Sequence, residues 1–155
     1  DLHSFPTRRS SDLAIKDEEI VGEEEWLLWS ALDCDLDTLY DKVHEIGGLF
    51  VPAHVNKPAS SLMSQLGFIP PDLKADALEI SKHVTKPDFL KKFAYLKKFM
   101  FTKSSDAHFL HIIGEVHCVF HMYDLTFDEF RKTLHGEDGR YIDTEPQEKL
   151  QLLFG

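Results

Sequence analysis

The chain has 155 residues, enough for one ordinary domain with a core, and its 43% hydrophobic and 28% charged content is that of a globular protein. Acidic residues number 27 against 17 basic ones, and the net charge of -10 argues against a general nucleic-acid or anionic-membrane surface. No apolar run approaches the roughly 18 residues of a membrane helix, and Cys34 and Cys118 make neither a disulfide framework nor a Cys-based zinc cluster, so buried thiols and a cytoplasmic location are expected.

Residues 1–13 are polar, Ser/Arg-rich and aperiodic, without the apolar centre of a signal peptide. They resemble the translation of a sequencing adapter from end to end, and the expectation is an artefactual or disordered leader. A basic arm for an acidic partner is the biological alternative. Asp1, Asp12, Arg8 and Arg9 cancel, so the whole net charge sits on residues 14–155. The expected division is therefore a leader over 1–13, a partial domain over 14–145, and a tail or short helix over 146–155.

An acidic start before Trp26, Leu27, Trp29 and Leu32 predicts a short helix over 23–32. Asp35 caps a second helix with apolar positions Leu36, Leu39, Tyr40, Val43 and Ile46, which Gly47-Gly48 ends. Residues 49–53 are an apolar run of the kind buried on both faces of a sheet. Ser60 or Ser61 opens a brief helix that Gly67 stops. Residues 77–80 read as a second strand, and 86–98 as an amphipathic helix with Pro87 in its first turn. Residues 99–102 make a third strand and 116–123 a fourth. Thr126 with Glu129 forms a capping box for a helix that Gly136 terminates, and Glu148 opens a possible closing helix. Four short strands separated by helices predict a parallel sheet with right-handed crossovers, an α/β layered fold or barrel, whose chemistry belongs at the carboxyl ends of the strands.

That rule singles out His54, which follows 49–53 directly, and Asp106 with His108, which follow 99–102. Parallel strands place both segments on one rim. Two imidazoles and a carboxylate form a catalytic metal set that leaves positions open for water and substrate. Each residue alone has an ordinary reading too: His54 can donate to a carbonyl, and Asp106 can cap a helix near Ala107. The metal reading rests on all three together.

The stretch Val43-His44-Glu45-Ile46-Gly47-Gly48-Leu49-Phe50-Val51-Pro52-Ala53-His54 resembles the third motif of the PHP (polymerase and histidinol phosphatase) domain family. Ser104-Ser105-Asp106-Ala107-His108 resembles its last metal motif, and Gln65-Leu66-Gly67-Phe68-Ile69-Pro70 with Leu134-His135-Gly136-Glu137-Asp138-Gly139 is similar to one bacterial branch of stand-alone phosphoesterases. The resemblance implies a distorted seven-stranded (β/α) barrel with up to three divalent ions (zinc, manganese or iron) at its C-terminal rim. His54, Asp106 and His108 would then be metal ligands, and Lys57 a phosphate contact where a basic residue is expected, although a solvated loop lysine is an equal reading. The implied activity is hydrolysis of a phosphomonoester, a nucleoside phosphate or a short oligonucleotide end, with no membrane and no stable protein partner. The family's opening His-x-His motif, a Thr-Asp-His type motif and an early glutamate ligand are absent from this sequence. The expectation is thus a C-terminal part of such a barrel, its first βα units missing and its isolated activity weak or nil. A degenerate module with a structural or interaction role is the alternative.

Seven lysines between 82 and 103 face only one acid, Asp88. They read as a solvated helix face, with steering of a phosphorylated ligand as the other possibility. His83 lies just past a strand end as a spare ligand, Glu79 reads as structural, His44, His111, His117 and His121 show no ligand geometry, and His135 sits beside the Gly136 cap, where a cation suits the helix dipole. No Gly-x-Ser-x-Gly elbow and no phosphate-cradling glycine loop is present.

Overall fold

The structure, a computed structural model, describes residues 13–16, 19–23 and 32–146, and the chain divides into two units, Asp1–Cys34 and Asp35–Gly155. In the first unit β1 (Leu13–Lys16) and β2 (Glu19–Glu23) form an antiparallel hairpin, Leu13 opposite Glu23 and Lys16 opposite Glu19, irregular between Ala14 and Ile15. The last position of the expected leader, Leu13, therefore opens a strand. Of the helix expected over 23–32, Glu23 closes β2 and residues 24–31 lie outside the described residues, as does the helix expected from Glu148.

The second unit opens with α1 (Leu36–Glu45), and the Asp35 carboxylate accepts from the Thr38 amide at 2.7 Å as an N-cap should. Beyond it, residues 50–55 run beside β3 (Leu78–Glu79): the Asp76 amide donates to the Phe50 carbonyl at 2.9 Å, Glu79 to Pro52 at 3.1 Å, and Val55 to Glu79 at 2.8 Å. Pro52 has no N–H to give, so residues 50–52 pair with β3 without being the regular strand their apolar run predicts, and residues 53–56 turn away. β3 pairs in parallel with β4 (Phe101–Thr102), Leu78 opposite Phe101. Three parallel segments thus lie side by side, and their carboxyl ends share an edge.

The period of two along these segments builds two cores. Leu78, Ile80 and Phe101 face a cluster with Val55, Ile69, Leu73, Phe89 and Leu96. Ala77 faces the other way, onto Leu134 and Ile142, with Met100, Phe120 and Phe130 packed around them. The first cluster is covered by α2 (Leu62–Leu66), which Ser61 caps and left-handed Gly67 ends, and by α3 (Lys86–Lys92), with Thr85 as cap and Pro87 in its first turn. The helix expected over 86–98 is not continuous. It breaks at Phe93 and resumes as a 3-10 turn, Ala94–Lys98, which lays Phe93 against Phe89 at 5.0 Å and buries Leu96 completely.

Among the described residues only part of the expected parallel sheet is present. β5 (Val119–His121) pairs antiparallel with β6 (Tyr141–Asp143) in a sheet of its own. The cause lies after α4 (Phe127–His135), where Gly136, Asp138 and Gly139 all have positive φ and turn the chain straight back onto β5. The expected capping box on α4 is half made: Thr126 accepts from the Glu129 amide at 3.2 Å. The Glu129 carboxylate instead grips Arg140 through two bonds of 2.7 Å and accepts from the Tyr123 amide at 3.1 Å. Among the described residues no helix is long and apolar enough to cross a membrane.

Candidate metal and phosphate site

The loops leaving 50–55, β3 and β4 line one pocket of about 260 Å³. They are braced to each other. The Ser81 amide donates to the Asn56 side-chain oxygen at 2.7 Å, Asn56 returns a bond to the Ser81 hydroxyl at 3.2 Å, and the Lys82 ammonium donates to the Ser105 carbonyl at 3.3 Å.

All four residues singled out in the sequence, His54, Lys57, Asp106 and His108, line this pocket. His54 and Asp106 both sit in the left-handed backbone region, with φ of 29° and 50°. Such conformations cost a non-glycine residue free energy and cluster at functional sites. His54 Nδ1 is buried without a hydrogen-bond partner, a state that buried polar atoms rarely keep. Asp106 Oδ2 accepts from the Lys57 ammonium, and Oδ1 lies 3.7 Å from His108 Nε2. The bond from Lys57 holds the Asp106 carboxyl below the ordinary range, against the effect of desolvation and with added help from the charges of Lys57, His54 and His108.

An unsatisfied imidazole nitrogen, a carboxylate kept ionised and a second, largely exposed imidazole fit a divalent transition ion in chemistry. Among the described residues no three His, Cys, Asp or Glu side chains stand close enough to cage an ion by themselves. The pocket also takes in Glu79, Lys82, His83, Phe109 and Ile112. Lys82 is therefore not part of a solvated helix face: it lies before α3, in a strand-end loop, and Lys103 from the same run is buried and paired with Glu145 at 3.4 Å. The strand-end rule, applied to β3 as well as to β4, marks Lys82.

A second polar cluster lies at the opposite ends of the strands. The Asp76 side chain is fully buried and meets His44 Nε2 at 3.0 Å, His135 Nε2 at 2.8 Å and the Phe50 amide at 2.6 Å. Burial alone would raise its carboxyl; the bonds from Phe50, His135 and His44 outweigh that and hold it low. His44, which shows no ligand geometry in the sequence, and His135, expected only as a cation at a helix end, thus tie α1 and α4 to the start of β3. Of the two cysteines, Cys34 is exposed, contrary to expectation, because it lies in the bend just before α1. Cys118 is half-buried, and burial pushes its thiol up.

The second unit is thus a mixed α/β arrangement with a loop-lined pocket at the carboxyl ends of parallel segments. No protein-family model matches the chain. The uncharacterized protein YqxK of Bacillus subtilis (strain 168) is 33% identical to it over 109 residues, 67% of this chain and 28% of YqxK. Two solved structures are similar in backbone. One is the lesion-specific endonuclease PfuEndoQ from Pyrococcus furiosus (TM-score 0.59, 28% identity, 72% of this chain and 29% of that one). The other is Endonuclease Q in complex with a 27-mer duplex substrate with an abasic lesion at the active site (TM-score 0.57, 26% identity, 71% and 29%). The chain spans less than a third of each of these relatives.

Proposed function

We propose that the chain carries part of a PHP-type, metal-dependent phosphoesterase centre whose substrate is a phosphoester of a nucleotide or nucleic-acid strand. The observation that carries this reading is the meeting of His54, Lys57, Asp106 and His108 on one pocket, with His54 Nδ1 buried and unsatisfied. The backbone likeness to two endonuclease structures supports the choice of phosphoester chemistry.

In this reading His54, Asp106 and His108 hold divalent metal. When bound, such ions supply charge neutralisation and a nucleophile at neutral pH. In the ligand-free site the bond from Lys57 holds the Asp106 carboxyl below the ordinary range. Lys57 binds a substrate phosphate oxygen as a point charge, exchanging its bond to Asp106 for one to the ligand. The Asn56–Ser81 pair keeps the loops of His54 and Lys82 at a fixed separation.

A non-catalytic module is the second reading, and one observation favours it: Lys57 already gives Asp106 a resident cation. Calorimetric titration of the chain with Mn²⁺ and Zn²⁺ separates the two. The phosphoesterase reading expects saturable binding that His54→Ala and Asp106→Ala each weaken by more than the roughly 10–100-fold typical of losing an outer-sphere partner. Lys57→Ala should tighten metal binding, by freeing Asp106, while weakening inorganic phosphate. Identical isotherms in the wild type and the two ligand variants would leave the module reading standing.

A further inference from the structure

Phe109 lines the same pocket as Lys57, Lys82 and His83, yet it is 65% exposed. Its ring is stacked on His111, centroids 5.9 Å apart and planes 18° from parallel. The backbone fixes it there: Phe109 is extended, and its carbonyl accepts from Ile112 at 3.0 Å as the chain enters a 3-10 turn, Leu110–Ile112. A lone exposed phenylalanine has no meaning of its own. This one stands at the mouth of a pocket bearing two ammonium groups, and that pairing of cation and ring face is what a base-bearing phosphate strand requires.

We infer that Phe109 is a stacking platform for a nucleobase, so that the pocket takes a nucleotide unit of a nucleic-acid strand in preference to a bare phosphomonoester. The inference rests on the phosphoester reading for the phosphate beside that base. Charge makes stacking the efficient device here. A chain of net charge -10 does not attract a polyanion over distance, so affinity has to come from short contacts. Base–aromatic stacking is such a contact, and it is tolerant of sequence.

The test is binding, in EDTA, of fluorescent short single-stranded DNA and of a strand of equal length with abasic sugars throughout, followed by anisotropy. The wild type should prefer the base-bearing strand by about tenfold. Phe109→Ala should abolish that preference while leaving the abasic strand's affinity unchanged, and Phe109→Trp should restore it. Equal weakening of both strands by Phe109→Ala, or a wild type without preference, overturns the platform. Since no metal is present, retained base preference alongside failed metal titration would overturn the phosphoesterase reading alone.

Discussion

Glu129 and Arg140 form a two-pronged pair whose side chains are only 12% and 6% exposed, and the Arg140 guanidinium also lies over the Tyr123 ring at 4.5 Å. The bond from Arg140 takes the Glu129 carboxyl from an ordinary 4.5 down to about 2. An unfolded chain therefore binds this proton at a higher pH than the folded one. The pair's contribution is fully present above about pH 4.5 and is lost as pH falls through about 2. Thermal midpoints measured across that window should fall less steeply for Glu129→Gln than for the wild type; equal slopes would contradict the assignment. Both proteins should keep a residual slope, because Asp76 is also held low. The two carboxylates differ in how legible they are. Asp106 was marked by its place at a strand end, together with His54, Lys57 and His108. Asp76 was not, since its imidazole partners lie 32 and 59 residues away and no local spacing connects them.

At the scale of elements, local signals placed what local chemistry decides. Asp35, Ser61 and Thr126 cap the helices expected of them, and Gly67 and Gly136 end theirs in the left-handed region. The break of the 86–98 helix depends on the packing that buries Leu96, which periodicity does not contain, and the antiparallel pairing of β5 depends on the left-handed turn at Gly136, Asp138 and Gly139. The junction between α1 and residues 50–55 is the most constrained of these connections. A Cβ on Gly48 would stand 2.9 Å from Val43 Cγ1 and 3.1 Å from the Val43 carbonyl oxygen. The Gly48 amide itself donates to that carbonyl at 2.9 Å, so helix and extended segment cannot separate without losing the bond. Gly48→Ala should therefore destabilise by about 1–3 kcal/mol, as overpacking does, and urea midpoints are the measurement. Metal affinity corrected for the folded fraction should change with it, because residues 49–53 lead directly into His54. A substitution with no effect on stability would show that the junction relaxes.

At the scale of the whole second unit, the two cores lie back to back on the same two strands, with Leu78 and Phe101 facing one and Ala77 the other. The pocket loops leave from those strands, so the site depends on both cores even though it touches neither helix layer alone. Phe89 is 2% exposed and packs edge-on to Phe101 at 5.7 Å, and Leu134 is 1% exposed on the opposite face. Phe89→Ala should cost about 3–5 kcal/mol and Leu134→Ala about 2–5 kcal/mol, a large share of a total near 5–15 kcal/mol. If the faces are one cooperative structure, each variant shifts a single urea transition and leaves its slope unchanged. The Asp76 clasp favours that outcome: it ties α1, β3 and α4 through one buried carboxylate, so α4 cannot leave without stranding a charge. An early separate transition confined to Leu134→Ala would instead make α4, β5 and β6 an independent layer. The pocket would then outlive its loss, and a metal titration at the intermediate plateau would still saturate.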